Sequence, residues 1–236
     1  MRKFKNWEGI GFMGDNIEKQ KKMSFSVADY VILAIVPSEL LIGRLWALVP
    51  STDLMNGIFV ILLFGVGFCL SIYLKKDVLK HDYRNFGNHK GKNILSVFIG
   101  VILVSLVLLG GRSVLEGIVP TADIGYSTLR VASIITPLFA PFTEEIVFRH
   151  VLFDKFKYDK KIYGMMFVIS SALFAIAHYE NFANNLILAL PLFFAGMIFA
   201  YFYKKTKNIW VNIWIHFIYD FLFGVLPAIV VLIVGQ

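Results

Sequence analysis

Residues 129–153 read LRVASIITPLFAPFTEEIVFRHVLF, and this stretch decides both the fold class and the place of the chemistry. The run is long and apolar enough to cross a membrane as a helix, which takes about 20 residues. It nevertheless contains two adjacent glutamates, Glu144 and Glu145, together with Arg149. A charge at the centre of a bilayer costs roughly 2.5–3.5 kcal/mol on insertion scales, and such charges face a bundle interior or a wet cavity. The stretch therefore predicts a membrane helix that carries a functional site.

The composition of the whole chain agrees with a membrane location. The 236 residues are 58% hydrophobic and 17% charged, with a mean hydropathy of +0.70, whereas soluble domains carry about 25% charged residues. Hydrocarbon offers no hydrogen-bond partner to the backbone, so apolar runs of this length form helices. We predict an all-α, polytopic bundle. Cys69 is the single cysteine of the sequence, which excludes an intramolecular disulfide within it.

Apolar runs of spanning length predict about eight transmembrane helices. The first six predicted helices lie near 27–49, 54–74, 94–111, 129–153, 163–180 and 185–203. The tail 208–235 is apolar as well, but it contains Gly224 and Pro227, which predict a break into two shorter helices.

The lysines and arginines predict how these helices are oriented. Nineteen of the 23 fall in four segments that are separated by pairs of predicted helices: 1–26, 75–93, 154–162 and 204–207. Positive residues collect on the cytoplasmic side of a membrane, so the N-terminus and the other three segments are predicted to be cytoplasmic. An eight-helix count places the C-terminus there too. This distribution explains the net charge of +7, and no nucleic-acid partner is expected.

The spacing within the charged motif predicts different tasks for its two glutamates. Residues four apart share a helix face, so Glu145 and Arg149 are predicted to pair, while Glu144 is rotated about 100° away and is left to act as a base. Pro137 and Pro141 precede the motif and cannot complete the helical ladder, which predicts a broken helix and a polar cavity. The simpler alternative is a structural Glu145–Arg149 ion pair with no catalytic role.

Further ionisable side chains are predicted inside the membrane on later helices. His178 shares a helix face with Phe174, and His216 shares one with Asp220. A single histidine on an apolar helix is commonly structural, but two histidines and a carboxylate pair can satisfy one another, so we expect them to converge. The histidines that are predicted to be solvated are His81, His89 and His150. The asparagines that are predicted to be caps or interfacial residues are Asn184, Asn185 and Asn212.

A carboxylate and two histidines also form a common ligand set for zinc. The H-E-x-x-H spacing, by which zinc proteases place two histidines on one helix, is absent from the sequence. Because the ligands would come from three separate helices, sequence spacing neither supports nor excludes a metal site.

Taken in order, these residues resemble the motifs of the CAAX protease and bacteriocin-processing family (CPBP, also called Abi), which are intramembrane glutamic peptidases. The family pattern is E-E-x-x-x-R, then F-x-x-x-H, then H-x-x-x-N or H-x-x-x-D on a later helix. The three motifs here are Glu144-Glu145-x-x-x-Arg149, Phe174-x-x-x-His178 and His216-x-x-x-Asp220. The resemblance covers roughly residues 130–222. Together with the apolar runs and the charge distribution, it predicts a cytoplasmic segment 1–26, N-terminal transmembrane helices 27–125 and a CPBP-like catalytic membrane region 126–236.

The resemblance implies peptide-bond hydrolysis without a covalent intermediate, a metal or another cofactor. In that scheme Glu144 and His178 hold and activate a water molecule, and Arg149 keeps the two glutamates in place. His216 and Asp220 would stabilise the oxyanion, and a donor aimed at an oxyanion contributes about 3–4 kcal/mol. An ionised Asp220 cannot donate a hydrogen bond, so it is either protonated or holds His216 as a charged donor.

The resemblance further implies an endopeptidase that cleaves a peptide or a membrane-associated protein. We expect a multi-pass protein of a bacterial cell membrane that acts in bacteriocin self-immunity, peptide maturation or peptide signalling, with membrane lipids as its other partners. The alternative is a non-proteolytic immunity or scaffold protein that binds a receptor or a sensor kinase. A transporter would predict internal repeats, and the sequence shows none.

Overall fold

The computed structural model describes residues 23–116, 130–178 and 185–234. Within these ranges the chain forms helices and no strands, as predicted. Four of the described helices are long and apolar enough to cross a membrane: Asp53–Asn88, Lys90–Leu115, Lys160–Ala177 and Ile209–Val230. Many large apolar side chains, among them Leu62, Phe98 and Val230, are exposed on the outside of the bundle, as expected of a surface that faces lipid.

The described residues form seven continuous helices. Helix α1 is Val27–Trp46 and α2 is Asp53–Asn88, while α3 runs from Lys90–Ser105 through a π-helical turn at Leu106–Gly110 into Gly111–Glu116. Helix α4 is Arg130–Glu144, continued by the π-helical segment Glu145–Phe153 and a 3₁₀ turn at Asp154–Phe156. Helix α5 is Lys160–Ala177 and α6 is Leu190–Thr206. Helix α7 runs from Ile209–Asp220 through a π-helical turn at Phe221–Val225 into Leu226–Val234.

Several helices begin at a polar side chain that caps them. Ser26 and Asp29 form a reciprocal capping box at the start of α1. The side chain of Asp159 accepts hydrogen bonds from the first turn of α5, and that of Asn208 accepts one from the first turn of α7. Capping side chains satisfy backbone donors that a helix leaves unpaired at its start. The sequence therefore fixes these helix starts to within a few residues of the apolar runs.

Helix α2 is longer than the apolar run that predicted it. The helix kinks at Lys75, where the backbone is non-helical, and then continues to Asn88 through residues that were predicted to be a connecting segment. In this second part Asp82 accepts a hydrogen bond from the backbone of Ile209 at 2.9 Å, and its carbonyl accepts one from the Asn208 side chain at 2.7 Å. A polar composition predicts exposure to water but does not exclude a helix. This part of α2 holds the start of α7, the helix that carries His216.

The prediction of two short helices in the tail is wrong. Helix α7 is continuous from Ile209 to Val234, and the π-helical turn at 221–225 lies where the break was expected. Pro227 follows this turn by two residues, at a place where the hydrogen-bond register already departs from the i→i−4 pattern. A π-turn of this kind accommodates the donor that proline lacks. One helix in place of two removes the basis for placing the C-terminus on the cytoplasmic side.

The first half of α7 lies at the centre of the bundle. Its residues Ile209, Val211, Ile213 and Ile215 are at most 1% exposed, and the helix packs against α2, α3, α4 and α6. Helices from both predicted membrane regions thus pack directly on each other. The predicted boundary between those regions, at residues 125 and 126, lies outside the described residues.

Candidate active site

Helix α4 changes its hydrogen-bond register at the glutamate pair. Glu144 is the last α-helical residue, and the π-helical segment begins at Glu145. Pro137 and Pro141 both lie inside the preceding helix, so the predicted break before the motif is wrong. Proline is tolerated in membrane helices where neighbouring helices and local π adjustments accommodate the lost hydrogen bond. A π segment rotates the residues that follow it, and such segments occur frequently at functional sites.

Glu145 is the fully buried member of the pair and has three polar partners. Its Oε2 lies 3.3 Å from Nε of Arg149, as the spacing of four residues predicts. The Asn212 side chain donates to the same oxygen at 3.1 Å. Nδ1 of His216 lies 3.1 Å from Oε1 of Glu145. Because both oxygens are occupied, Glu145 can hold its neighbours in position but cannot readily accept a proton from water.

Arg149 is also fully buried and is held by aromatic rings as well as by charge. Its guanidinium carbon lies 4.8 Å from the ring centre of Phe174, 5.4 Å from that of Phe199 and 5.9 Å from that of Phe148. Cations are attracted to aromatic faces within about 6 Å, most strongly when water is excluded. The rings therefore stabilise the guanidinium charge. Apart from the contact of Nε with Glu145, the guanidinium nitrogens have no hydrogen-bond acceptor among the described residues.

Glu144 points away from this ion pair and faces a cavity. Its Oε1 lies 3.5 Å from Nε2 of His178, and its Oε2 lies 4.0 Å from Nε2 of His216. The side chain of Glu144 is 12% exposed, whereas that of Glu145 is completely buried. The structure thus gives the adjacent glutamates the two different environments that the sequence predicted.

His178 caps the C-terminal end of α5 and has a defined orientation. Its Nδ1 lies 2.9 Å from the carbonyl oxygen of Phe174. A carbonyl only accepts, so Nδ1 must be the donor, and Nε2 is the nitrogen that faces Glu144. The Phe174 ring lies beside the imidazole, with 4.9 Å between ring centres. The F-x-x-x-H motif therefore supplies both the carbonyl and the ring that orient the histidine.

His216 links the two glutamates to Asp220. While its Nδ1 faces Glu145, its Nε2 lies 3.6 Å from Oδ2 of Asp220 and looks into the same cavity as Glu144. The imidazole is stacked on Phe199 with 4.9 Å between ring centres. All six predicted site residues thus converge in one place, although they come from three helices.

The cavity in front of these groups has a volume of about 260 Å³. The carboxylates and histidines in its wall are Glu144, His178, His216 and Asp220. A water molecule occupies roughly 30 Å³ in the liquid, so the space can hold a reacting water together with part of a peptide chain. A carboxylate and an imidazole 3.5 Å apart at the edge of such a space can polarise a water molecule between them.

The sequence did not identify two further polar residues of this region. Asn212 was predicted to be a cap or an interfacial residue, but it is fully buried and connects Glu145 to the carbonyl oxygen of Phe199, at 2.8 Å. Its position four residues before His216 places both on one helix face, which is a signal that the sequence does contain. Glu39 on α1 interacts electrostatically with Glu144, and one of its oxygens is buried without a hydrogen-bond partner among the described residues.

The remaining histidines and asparagines have varied surroundings. His81 and His89 are exposed, as predicted. His150 was also predicted to be solvated, yet it is partly buried and its Nδ1 lies 2.9 Å from the hydroxyl of Tyr203, because the π-helical segment carries it into the α4–α6 contact. Asn185 is partly exposed and accepts a hydrogen bond from the backbone of Ile187, and Asn184 lies outside the described residues. Among the described residues, no group of three or more His, Cys, Asp or Glu side chains is arranged to hold a metal ion.

Comparison with known proteins shows that the part of the chain that contains the site is similar to membrane peptidases. Residues 126–222 match the family described as Type II CAAX prenyl endopeptidase Rce1-like, and this range contains all six residues of the site. A protein of Bacillus subtilis (strain 168) named "Putative membrane peptidase YdiL" is 35% identical over 80 residues. That similarity covers 34% of this chain and 30% of the length of the relative. No solved structure matches the chain.

Proposed function

We propose that the chain belongs, through residues 126–222, to the CAAX protease and bacteriocin-processing family. From this premise it follows that the protein is an intramembrane glutamic endopeptidase. The observation that carries this proposal is the 3.5 Å approach of His178 to Glu144 at the wall of a buried cavity. Glu145 and Arg149 are engaged elsewhere, so Glu144 is the carboxylate that is available as a base.

In the first step Glu144 and Nε2 of His178 hold a water molecule between them. The water oxygen attacks the carbonyl carbon of the scissile bond while its proton passes to Glu144. The hydrogen bond from Nδ1 of His178 to the Phe174 carbonyl keeps Nε2 aimed at the water throughout. A positioned base of this kind contributes typically 10²–10⁴-fold to a rate.

In the second step the oxyanion of the tetrahedral intermediate is stabilised from the α7 side. Nδ1 of His216 is occupied by Glu145, so a doubly protonated His216 presents Nε2 as a charged donor toward the cavity. Three carboxylates, those of Glu144, Glu145 and Asp220, surround this ring and balance its charge. When the carbon–nitrogen bond breaks, the proton held by Glu144 passes to the leaving amine, which returns Glu144 to its ionised state.

The test compares wild type with Glu144→Gln in proteoliposomes, using a library of quenched fluorescent peptides. Glutamine keeps the size and the polar head of the side chain but removes the base, so hydrolysis should fall about 100-fold or more while the protein still folds. Asp77→Asn, an exposed carboxylate on α2, is the matched control and should leave the rate unchanged. Hydrolysis by Glu144→Gln at the wild-type rate would show that Glu144 is not the base, and a wild-type protein that hydrolyses no peptide would favour the scaffold function.

We further propose that the protein lies in a bacterial cell membrane with the basic helix ends and the N-terminus in the cytoplasm. The distribution of lysine and arginine supports this orientation. Contacts of Asp29 with Lys75 and Lys155, and of Asp154 with Lys207, support placing the segments 75–93, 154–162 and 204–207 on the same side of the bundle. Within that setting we assign the peptidase to bacteriocin self-immunity, peptide maturation or peptide signalling.

A further inference from the structure

A groove on the outside of the bundle lies between the second part of α2, the start of α3 and the first half of α7. It has a volume of about 540 Å³, and its lining residues fall within 83–97 and 210–218. The three helices each contribute to this lining, with Tyr83 and Gly87 from α2, Lys90 and Val97 from α3, and Trp214 and Ile218 from α7. We call this feature the α3–α7 groove.

The α3–α7 groove runs from the membrane surface into the hydrocarbon. Helices α3 and α7 contain the segments Lys90–Leu115 and Ile209–Val230, which are long and apolar enough to span a membrane and which both begin at this groove. From Lys90 to Val97 the rise along α3 is about 10 Å at 1.5 Å per residue. One leaflet is half of a hydrocarbon core about 30 Å thick. The groove therefore has the depth and direction of a phospholipid acyl chain.

The surface end of the groove carries the side chains that favour a membrane–water interface. Tyr83 and Trp214 line it and are 66% and 41% exposed. The ring of Trp210 is held in the lining because its Nε1 donates a hydrogen bond to the carbonyl oxygen of Leu79 at 2.8 Å. Tryptophan and tyrosine are enriched at the level of lipid headgroups. These rings place the headgroup level at the start of α3.

The charge at this end of the groove is positive. Lys90 belongs to the lining and is exposed, and the exposed cations Arg84 and Lys92 lie close to it in the sequence. The lining contains no carboxylate, and Asp82 is buried, with a hydrogen bond from the backbone of Ile209. Basic pockets between membrane helices bind anionic lipid headgroups.

Two other apolar grooves show that this combination is not general. One lies between α1 and α2 and has a volume of about 530 Å³, and the other lies between α3 and α6 and has a volume of about 620 Å³. Neither lining contains a lysine or an arginine. Of these three grooves, the α3–α7 groove alone joins an acyl-sized apolar floor to a cation at the membrane surface.

We propose that the α3–α7 groove binds an anionic phospholipid such as phosphatidylglycerol. One acyl chain lies between α3 and α7, and the phosphate lies beside Lys90. A zwitterionic lipid fits less well, because its own ammonium group offsets the attraction of its phosphate to this end of the groove. The bound lipid lies against α7, where Trp214 precedes His216 by two residues. The proposal goes beyond the peptidase function and does not depend on it.

The experiment measures contact between the lipid and the groove by tryptophan fluorescence in vesicles. Trp7→Phe and Trp46→Phe leave Trp210 and Trp214 as the tryptophans of the sequence. Bromine on an acyl chain quenches a tryptophan that it touches, so brominated phosphatidylglycerol and brominated phosphatidylcholine are each titrated into bilayers of unbrominated phosphatidylcholine. The first should reach half-maximal quenching at about a fivefold lower mole fraction, which is the preference expected from one cation near the surface.

Two pairs of variants locate the preference. Lys90→Gln should abolish it, whereas Lys161→Gln, which removes an exposed lysine at the start of α5, should preserve it. Gly87→Leu fills the groove and should also abolish it. Gly91→Leu is the matched control, since an added Cβ meets no atom within 4 Å at either glycine and Gly91 is not part of the lining.

Equal quenching by the two lipids before any of these four substitutions would show ordinary lipid contact and would overturn the inference. A preference that survives Lys90→Gln or Gly87→Leu would overturn it as well. Equal loss in Lys90→Gln and Lys161→Gln would assign the preference to the surface charge of the whole protein in place of the groove. Quenching does not require catalysis, so these outcomes are independent of the result obtained with Glu144→Gln.

Discussion

At the scale of single residues, the two adjacent glutamates show how one helix can place neighbouring carboxylates in different surroundings. Glu145 has an arginine, an asparagine and a histidine around it and is completely buried. Glu144 meets two histidines at longer distances, 3.5 and 4.0 Å, at the wall of a cavity. The sequence predicted this division from helix geometry alone. It did not predict Asn212, because the position of this asparagine near a helix end favoured a cap, although its spacing of four residues from His216 places both on one helix face.

Replacing Arg149 with alanine should lower the free energy of unfolding, and not only the activity. The substitution leaves Glu145 buried without its cation, and removing one partner of a buried ion pair typically destabilises a protein by about 3–5 kcal/mol. Arg149→Lys should recover only part of this loss, since an ammonium lacks the planar surface that lies among three rings. Thermal unfolding in detergent measures the effect, with the exposed Lys80→Ala as the control. Unfolding of Arg149→Ala at the wild-type temperature would show that the pair is not structural.

Asp220→Asn should retain peptidase activity to within a few-fold. His216 is oriented through Nδ1 by Glu145 at 3.1 Å, so it does not depend on Asp220 for its position. An asparagine amide at the same place can itself donate a hydrogen bond to an oxyanion. The rate of peptide hydrolysis in proteoliposomes measures the outcome. A loss of about 100-fold or more, the size expected for removal of an oxyanion donor, would mean that the charged His216–Asp220 pair is required.

At the scale of helices, the apolar runs predicted most helix positions but not their irregularities. Helix α1 was predicted at 27–49 and is observed at Val27–Trp46, and the three apolar residues that follow it form a turn. The length of α2, the continuity of α7 and the π-helical segment of α4 were not predicted. Hydropathy and periodicity predict which residues are shielded from water, but they do not predict the hydrogen-bond register of the helix backbone. The register nevertheless decides where the six site residues converge.

A close contact between α5 and α6 provides a test at this scale. A Cβ atom added to Gly196 on α6 would lie 3.0 Å from Cα of Ser171 and 3.1 Å from its carbonyl oxygen. Gly196→Leu should therefore separate α6 from α5, the helix that ends at His178, and lower both the melting temperature and the rate of hydrolysis. Overpacking of this kind costs about 1–3 kcal/mol. Gly164→Leu on α5 is the matched control, since no atom lies within 4 Å of its added Cβ; equal behaviour of the two variants would contradict the packing account.

At the scale of the whole molecule, contacts at the basic helix ends connect parts of the chain that are distant in sequence. Buried Asp29 at the start of α1 pairs with Lys75 at the kink of α2 and with Lys155 after the π-helical segment of α4. These pairs connect the start of α1 to α2 and to the end of α4. Composition predicted a membrane bundle and a basic side. It could not predict the pairing of individual charges, which depends on helix packing.

The central claim is that Glu144 and His178 activate water for peptide hydrolysis without a metal. The most direct measurement is a single turnover in ¹⁸O-labelled water with the reconstituted protein and a strong chelator present. We predict one ¹⁸O atom in the new carboxyl group of the product of the wild-type protein, at a rate that the chelator does not change, and product formation about 100-fold or more slower with Glu144→Gln or His178→Ala. Labelled product from Glu144→Gln at the wild-type rate, or activity that is lost on chelation and restored by zinc, would contradict the account.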